Sequence, residues 1–325
     1  MPHPEPFRND APARLWQDAP MPCRIYLPPR QACALFALAL ALTACGPRTP
    51  PPDPDRDREL NRFREAVQTV QERYIDADTV PLDLLISNSL RGVIEQLDPH
   101  AVIIRTGTAA PAAPPPDAPA VEYIPPGPDG IAVLRIFRFA HDTATALRDA
   151  APAAAAPPPL GLLLDARAAA GQHYEAAAAV AEWLLPRGSV VGALVDGPGA
   201  PPRPITTRAP PRWFADLPVI ALIDNQTAGP AEWLAAALQH HHRALLVGTP
   251  TRGLTQVRQP VVLDEHWTVL LSTGRALDPN GQPVTGAPLL PDIPVSPPTE
   301  NDENIDWIGQ RGIQVLSERL PPAPP

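Results

Sequence analysis

Residues 218–240, PVIALIDNQTAGPAEWLAAALQH, decide the fold. PVIALID is a continuous apolar run closed by Asp224, short enough to be a strand buried on both faces. From Ala231 to His240 the apolar residues keep helical spacing. The polar stretch between them, Asp224-Asn225-Gln226-Thr227-Ala228-Gly229-Pro230, must turn the chain sharply from strand into helix.

Working outward, the same alternation recurs. GIAVLRIFRF from Gly130 reads as a strand, Thr143 to Ala150 as a short helix, and GLLLDAR as a buried strand. His173 to Leu185 reads as a helix, Ser189 to Val195 as a strand, and ALLVG, after the deciding helix, as another. QVRQPVVL and WTVLLST suggest a β pair. Strands alternating with helices imply an α/β domain with a largely parallel sheet, whose sites lie at the carboxyl ends of the strands. Two such ends carry unusual sequences: Asp165-Ala166-Arg167-Ala168-Ala169-Ala170-Gly171, and the turn after Asp224.

The rest of the chain is organised around that domain. Proline supplies 49 of 325 residues, too many for packed core throughout, because proline removes backbone donors and interrupts helices and central strands. Residues 45–58 read as a proline-rich, charged tether, 59–104 as a helical segment, and 105–129 as a proline and alanine linker. The core is expected over 130–298, followed by a C-terminal helix and tail over 299–325. With 26 basic and 35 acidic side chains the net charge is 26 − 35 = −9, and no basic stripe is available to neutralise phosphates, so a nucleic-acid partner is excluded.

All three cysteines, Cys23, Cys33 and Cys45, lie before residue 46, so the body of the chain can build neither a disulfide framework nor a thiolate metal site. The uncharged run Ala32 to Ala44 follows Arg24 and Arg30 and is too short to span a bilayer. Residues 1–44 therefore read as a secretory signal, with Met21 as an alternative start, and Leu42-Thr43-Ala44-Cys45 fits a lipobox. Cys45 is the expected lipidation site and membrane anchor. Gly46 stands where an inner-membrane retention aspartate would sit, so resemblance to bacterial lipoproteins implies the outer membrane, facing the periplasm.

Five motifs in order resemble the carboxyl-terminal processing, or tail-specific, serine peptidases. The helical stretch Phe63 to Tyr74 with Leu97-Asp98-Pro99-His100 is similar to that family's entry segment ending L-D-P-H-S. The strand end at Asp165 is similar to D-L-R-x-N-P-G-G, and Leu184-Leu185-Pro186-Arg187-Gly188 to F-L-P-x-G. Gly281 to Val295 is similar to G-x-x-I-x-G-x-G-I-x-P-D-I-x-V. The resemblance spans about residues 60 to 300 and implies a tail-specific-protease-like, crotonase-like core behind a helical cap.

The family works through a serine nucleophile, a lysine base 25 residues later, a glutamine that orients the lysine, and backbone N–H groups that stabilise the oxyanion. Glu232, Gln239, Arg243, Gly248 and Gly253 anchor the register on both sides. Gly229 then stands at the serine, Leu254 at the lysine and Arg258 at the glutamine. Gly171 keeps the first glycine of N-P-G-G, whereas Gln172 replaces the second and alanines replace the asparagine and proline. Residues 105–129 stand where the family carries a PDZ domain.

The resemblance therefore implies a serine-type peptidase homologue without catalytic residues. It would be a binding or scaffolding module for a protein or peptide, contacting it around Gly171, Ala228, Gly229 and Pro230. No cofactor and no metal site are expected. Thr227 and Thr255 carry hydroxyls near the site, but the core from Gly130 to Val295 has no lysine to activate them, and they read as cap or turn residues. Histidines 240–242 point in different directions on a helix end and read as helix-terminal groups, not ligands. Asp165 and Arg167 read as a buried ion pair, and Asp292 as structural. The competing readings are an active hydrolase with an unconventional base and a carrier of a small ligand or lipid.

Overall fold

The computed structural model describes residues 54–75, 81–105, 119–150, 158–209, 214, 216–284, 286–296 and 305–320. The signal segment, Cys45 and most of the 105–129 stretch lie outside the described residues. The chain divides into two compact units at Val80/Pro81.

In the first unit the helix α1 spans Pro54–Arg73. It begins inside the stretch expected to be extended tether. A proline is tolerated in the first turn, where its missing N–H would have no intrahelical partner, and Asp55 and Asp57 complement the positive end of the helix dipole. Exposed pairs Arg58–Asp55 (2.7 Å) and Arg62–Glu59 (2.8 Å) add a few tenths of a kcal/mol each, roughly, at these spacings.

The second unit opens with α2 (Leu82–Leu97) and β1 (Val102–Arg105). Its centre contains β2 (Val121–Ile124), β3 (Ile131–Ile136), β4 (Arg138–Phe139), α3 (Thr143–Ala150), β5 (Gly161–Asp165), β6 (Ala170–Gly171) and α4 (Tyr174–Ala181). It continues through β7 (Val190–Val195), β8 (Arg203–Thr206), β9 (Val219–Ile223), α5 (Pro230–His240), β10 (Leu245–Gly248), β11 (Gln256–Val262) and β12 (Trp267–Leu277). It closes with β13 (Ile293–Pro294) and α6 (Trp307–Ser317).

The central sheet has the order β13-β10-β9-β5-β3-β2 and is parallel except for β2. Its inner strands β9 and β10 are apolar throughout, and β5 up to Asp165, because both faces are covered. Leu162, Leu164, Val219, Ala221 and Ile223 join the large cluster that includes α4 and α5, while Leu163, Ile220 and Leu222 face Val315 and Leu316 of α6. Helix α6 packs so closely that a Cβ on Gly312 would lie 2.5 Å from Leu222 Cδ2, which is why glycine stands there.

Three expectations need correction. The folded core does not start at Gly130: β2, inside the supposed 105–129 linker, pairs antiparallel with β3, and Ala120 and Val121 are buried. Proline-rich flanks hide a four-residue strand from any periodicity reading. Nor does the core end at 298, since α6 supplies the second face of the sheet. The helix expected to reach Leu185 stops at Ala181, because the residue before Pro186 is biased away from helical geometry and the last turn loosens ahead of it.

A second, antiparallel sheet stands beside the first. The long strand β12 pairs with β11 on one side and with β1 and then β7 on the other, and β8 extends β7. The expected β pair is its β11–β12 hairpin. Asp98 of the Leu-Asp-Pro-His segment joins α2 to this sheet, accepting from Ser272 N at 2.8 Å and His100 N at 3.0 Å. Burial pushes the Asp98 carboxyl up, but the bonds from Ser272 and His100 outweigh it and hold it below the ordinary carboxylate value.

Candidate functional site

The site is the elbow between β9 and α5. Asp224 fixes its first half, accepting from Gln226 N (3.0 Å), Thr227 N (2.8 Å) and, across the loops, Ala168 N (3.0 Å). Thr227 is fully buried with its hydroxyl directed at Ala166 O (3.0 Å) and Asp224 Oδ1 (3.0 Å). It is a turn residue held by its own loop. Ala228 N donates to Ala169 O at 3.0 Å, binding the elbow to the loop that follows β5.

Gly229 then takes φ 62° and ψ −124°, a conformation costly for any residue with a Cβ. A Cβ there would meet Gly171 O at 3.1 Å, Leu254 O at 3.7 Å and the Tyr174 hydroxyl at 3.9 Å. The surroundings of that point are thus two carbonyl oxygens and one phenol. The Gly229 N–H is shared between Leu254 O (2.8 Å) and Glu232 Oε2 (3.2 Å). Pro230, the next residue, has no N–H at all.

Glu232 holds this arrangement from below. It is completely buried, and its Oε1 accepts from Thr251 Oγ1 (2.5 Å) and Gly253 N (2.6 Å). Its Oε2 accepts from Leu254 N (2.8 Å) and Gly229 N (3.2 Å). One carboxylate therefore ties the helix start to the segment that carries Leu254.

The expected site residues Gly171, Ala228, Gly229 and Pro230 are brought together, with Leu254 beside them. Arg258 lies at the start of β11, where its N–H donates to Gln172 Oε1 at 3.1 Å. Its half-buried guanidinium has no carboxylate partner among the described residues. The sequence reading missed Tyr174. This ring packs edge-on against Trp233 at 5.5 Å, is 1% exposed, and buries a hydroxyl with no hydrogen-bond partner among the described residues. Burial pushes the phenol well above its ordinary value; the nearby Glu232 charge adds to that, and Arg258 works against it. The available signal was a lone aromatic opening the alanine-rich helix YEAAAAVA.

Asp165 and Arg167 form the expected ion pair, with Arg167 Nη2 2.7 Å from Asp165 Oδ2. Arg167 also grips Asp306 ahead of α6 (2.5 Å), and Arg135 reaches Asp165 at 3.1 Å. Burial alone would raise the Asp165 carboxyl, but Arg167 and Arg135 hold it below the ordinary value. Asp292 accepts from Leu246 N (2.7 Å) and Gln239 Nε2 (2.9 Å), joining β13 to the centre of the fold. His240 and His241 stand with rings perpendicular, 5.0 Å apart, and His241 Nε2 is bonded to Val190 O at 2.8 Å.

The chain is thus a mixed α/β domain whose elbow, with a buried glutamate three residues on, opens a helix at the carboxyl end of a parallel strand. The chain belongs to peptidase family S41, whose family model matches residues 130–295. A carboxy-terminal-processing protease of Bartonella bacilliformis is 35% identical over 83 residues, covering 26% of this chain and 19% of that protein. A chloroplastic C-terminal processing peptidase of Tetradesmus obliquus is 27% identical over 180 residues, covering 55% and 38%. The matched stretches thus span well under half of those relatives. A peptidase-like protein from Parabacteroides merdae superposes with TM-score 0.55 at 18% identity, covering 77% of this chain and 88% of that one, a likeness of fold.

Proposed function

We propose that this chain is a non-catalytic member of the family, a lipoprotein anchored through Cys45 in the outer membrane, facing the periplasm, that binds a protein or peptide partner as a scaffold. The observation that carries the reading is the elbow itself. A nucleophile there needs a hydroxyl on the turn residue, a base within hydrogen-bond reach and free N–H donors for the oxyanion. Gly229 offers no hydroxyl, Leu254 no amine, and the neighbouring Pro230 no N–H, while the Gly229 N–H is already accepted twice. Carbonyl oxygens of Gly171 and Leu254 face the point where a nucleophile would project, and they would oppose a developing negative charge.

The scaffold is meanwhile kept in order by Glu232, Asp224 and the Asp165–Arg167–Asp306 group, so the elbow keeps a fixed shape. Incubation of the purified protein with unfolded casein, read by mass spectrometry, tests the proposal. Intact casein is expected. Multiple-turnover cleavage would establish an active hydrolase with an unconventional base instead.

A further inference from the structure

Helix α1 carries an apolar line that nothing in its own unit uses. Leu60, Phe63, Val67, Val70 and Tyr74 follow one another at alternating intervals of three and four residues, the a and d positions of a heptad. The bond from Tyr74 N to Val70 O (2.9 Å) carries the last turn far enough to include Tyr74. Leu60, Phe63, Val70 and Tyr74 are each more than half exposed, and Val67 is partly buried. Large apolar side chains aligned on a helix surface mark an interaction site.

The width and charge of the line say what fits it. The flanking e and g positions are Asp57, Glu59, Arg64, Ala66, Gln71 and Arg73, polar apart from Ala66, so the line is a strict a/d seam, narrower than the face a helix turns to a globular core. Five acidic and five basic residues balance along α1, so no net charge draws it to an anionic lipid surface. A second copy of α1 suits the seam. In a parallel, in-register pair each of the five apolar layers meets its own counterpart, and Glu59 at g lies across from Arg64 at e of the second copy, twice by symmetry. The exposed bonds that these side chains make within one helix, Arg62 to Glu59 (2.8 Å) and Arg64 to Asn61 (3.0 Å), are weak enough to exchange. In an antiparallel pair that sets Leu60 against Val70 and Phe63 against Val67, Arg64 meets its own copy and Tyr74 loses its layer.

We propose that α1 is the seam of a parallel, two-stranded coiled coil through which two copies of this chain pair. The proposal goes beyond the scaffold reading and uses no residue of the elbow, so either can fail without the other.

Disulfide trapping tests it. In the full-length chain with Cys23, Cys33 and Cys45 changed to Ser, Val70→Cys puts one thiol per copy in a d layer, where parallel helices in register bring the two within bonding reach, and Gln68→Cys puts it on the outer face. After mild oxidation a non-reducing gel should show covalent dimer from Val70→Cys at about tenfold or more the amount from Gln68→Cys. Phe63→Glu added to Val70→Cys should remove the dimer. Arg64→Glu added instead should cut it about tenfold, since two attractive pairs become repulsive, and Glu59→Arg together with Arg64→Glu should restore it. Phe63 and Arg64 are exposed, so these variants should melt with their parent, which separates loss of pairing from loss of fold. Equal trapping by Val70→Cys and Gln68→Cys, trapping by neither, or trapping indifferent to Phe63→Glu would overturn the seam. Dimer formed only when Leu60→Cys and Val70→Cys copies are mixed would overturn the parallel arrangement. A blue shift of a dye on Val70→Cys with phosphatidylethanolamine and phosphatidylglycerol vesicles, in place of trapping, would give the line to a membrane surface and overturn the proposal.

Discussion

Replacing Glu232 by Gln should be among the most damaging single-atom changes in this fold. The carboxylate is completely buried and accepts four bonds, from the Thr251 hydroxyl and Gly253 N on one oxygen and from Leu254 N and Gly229 N on the other. An amide keeps one acceptor oxygen. Its NH2 group must then face two of the four donors, losing two charge-assisted bonds and leaving one backbone N–H, that of Gly253 or Leu254, unpaired, because Gly229 N keeps Leu254 O and the Thr251 hydroxyl can turn to accept. At about 1.5–3 kcal/mol for each bond to a charged group, the expected loss is roughly 3–6 kcal/mol. At about 2–4 °C per kcal/mol for a domain of this size, the melting temperature should fall by roughly 6–24 °C. Urea unfolding followed by tryptophan fluorescence measures the change, with Trp233 buried in the same helix as a reporter. Amide exchange at Gly229, Gly253 and Leu254 should quicken, while exchange in β5 should not. A loss under about 1 kcal/mol would refute the claim that Glu232 organises the elbow, since three backbone N–H groups and one hydroxyl cannot take an amide in place of the carboxylate that cheaply.

Gly229→Ala should cost about 1–3 kcal/mol, because the positive φ and the 3.1 Å approach to Gly171 O both oppose a Cβ; calorimetric melting checks it. Val121→Asp should destabilise by about 2–4 kcal/mol in urea titration if β2 belongs to the core, whereas a linker residue would tolerate the change. Asp165 and Asp306 are held below the ordinary 3.8, so their contribution is complete above that value and is lost as pH falls through their lower folded values. The urea midpoint should therefore drop below about pH 4, with a shallower drop in Asp165→Asn; a separate decline as pH falls below the ordinary histidine value of 6.5 belongs to His173 and His240, whose burial lowers their values. Cys45→Ala should abolish palmitate labelling and release the protein from the membrane fraction; continued labelling would contradict the lipobox reading.

The deciding stretch was readable because each of its signals has a local cause. PVIALI is apolar throughout since α6 covers one face of β9 and the α4–α5 layer the other, and Gly229 marks a turn that needs positive φ. The Asp165–Arg167 pair was equally visible, as opposite charges two residues apart at a strand end. What escaped depends on partners distant in sequence. Strand β2 is recognisable only through its pairing with β3, and β1 and β8 only through β12 and β7. The role of Tyr174 arises from its distance to Gly229, 55 positions further along the chain, and Gln172 reads as a lost glycine until its amide is seen on the β11 edge.

Treatment of the wild-type protein with a fluorophosphonate, followed by intact-mass measurement, tests the central claim most directly. The protein should be expressed in a host lacking its own tail-specific peptidase, with Gly229→Ser/Leu254→Lys treated in parallel. Loss of a hydroxyl nucleophile and its base together removes on the order of 10⁶ in kcat, so the wild type should show no adduct and Gly229→Ser/Leu254→Lys at most a trace. Stoichiometric labelling of the wild type would contradict the account.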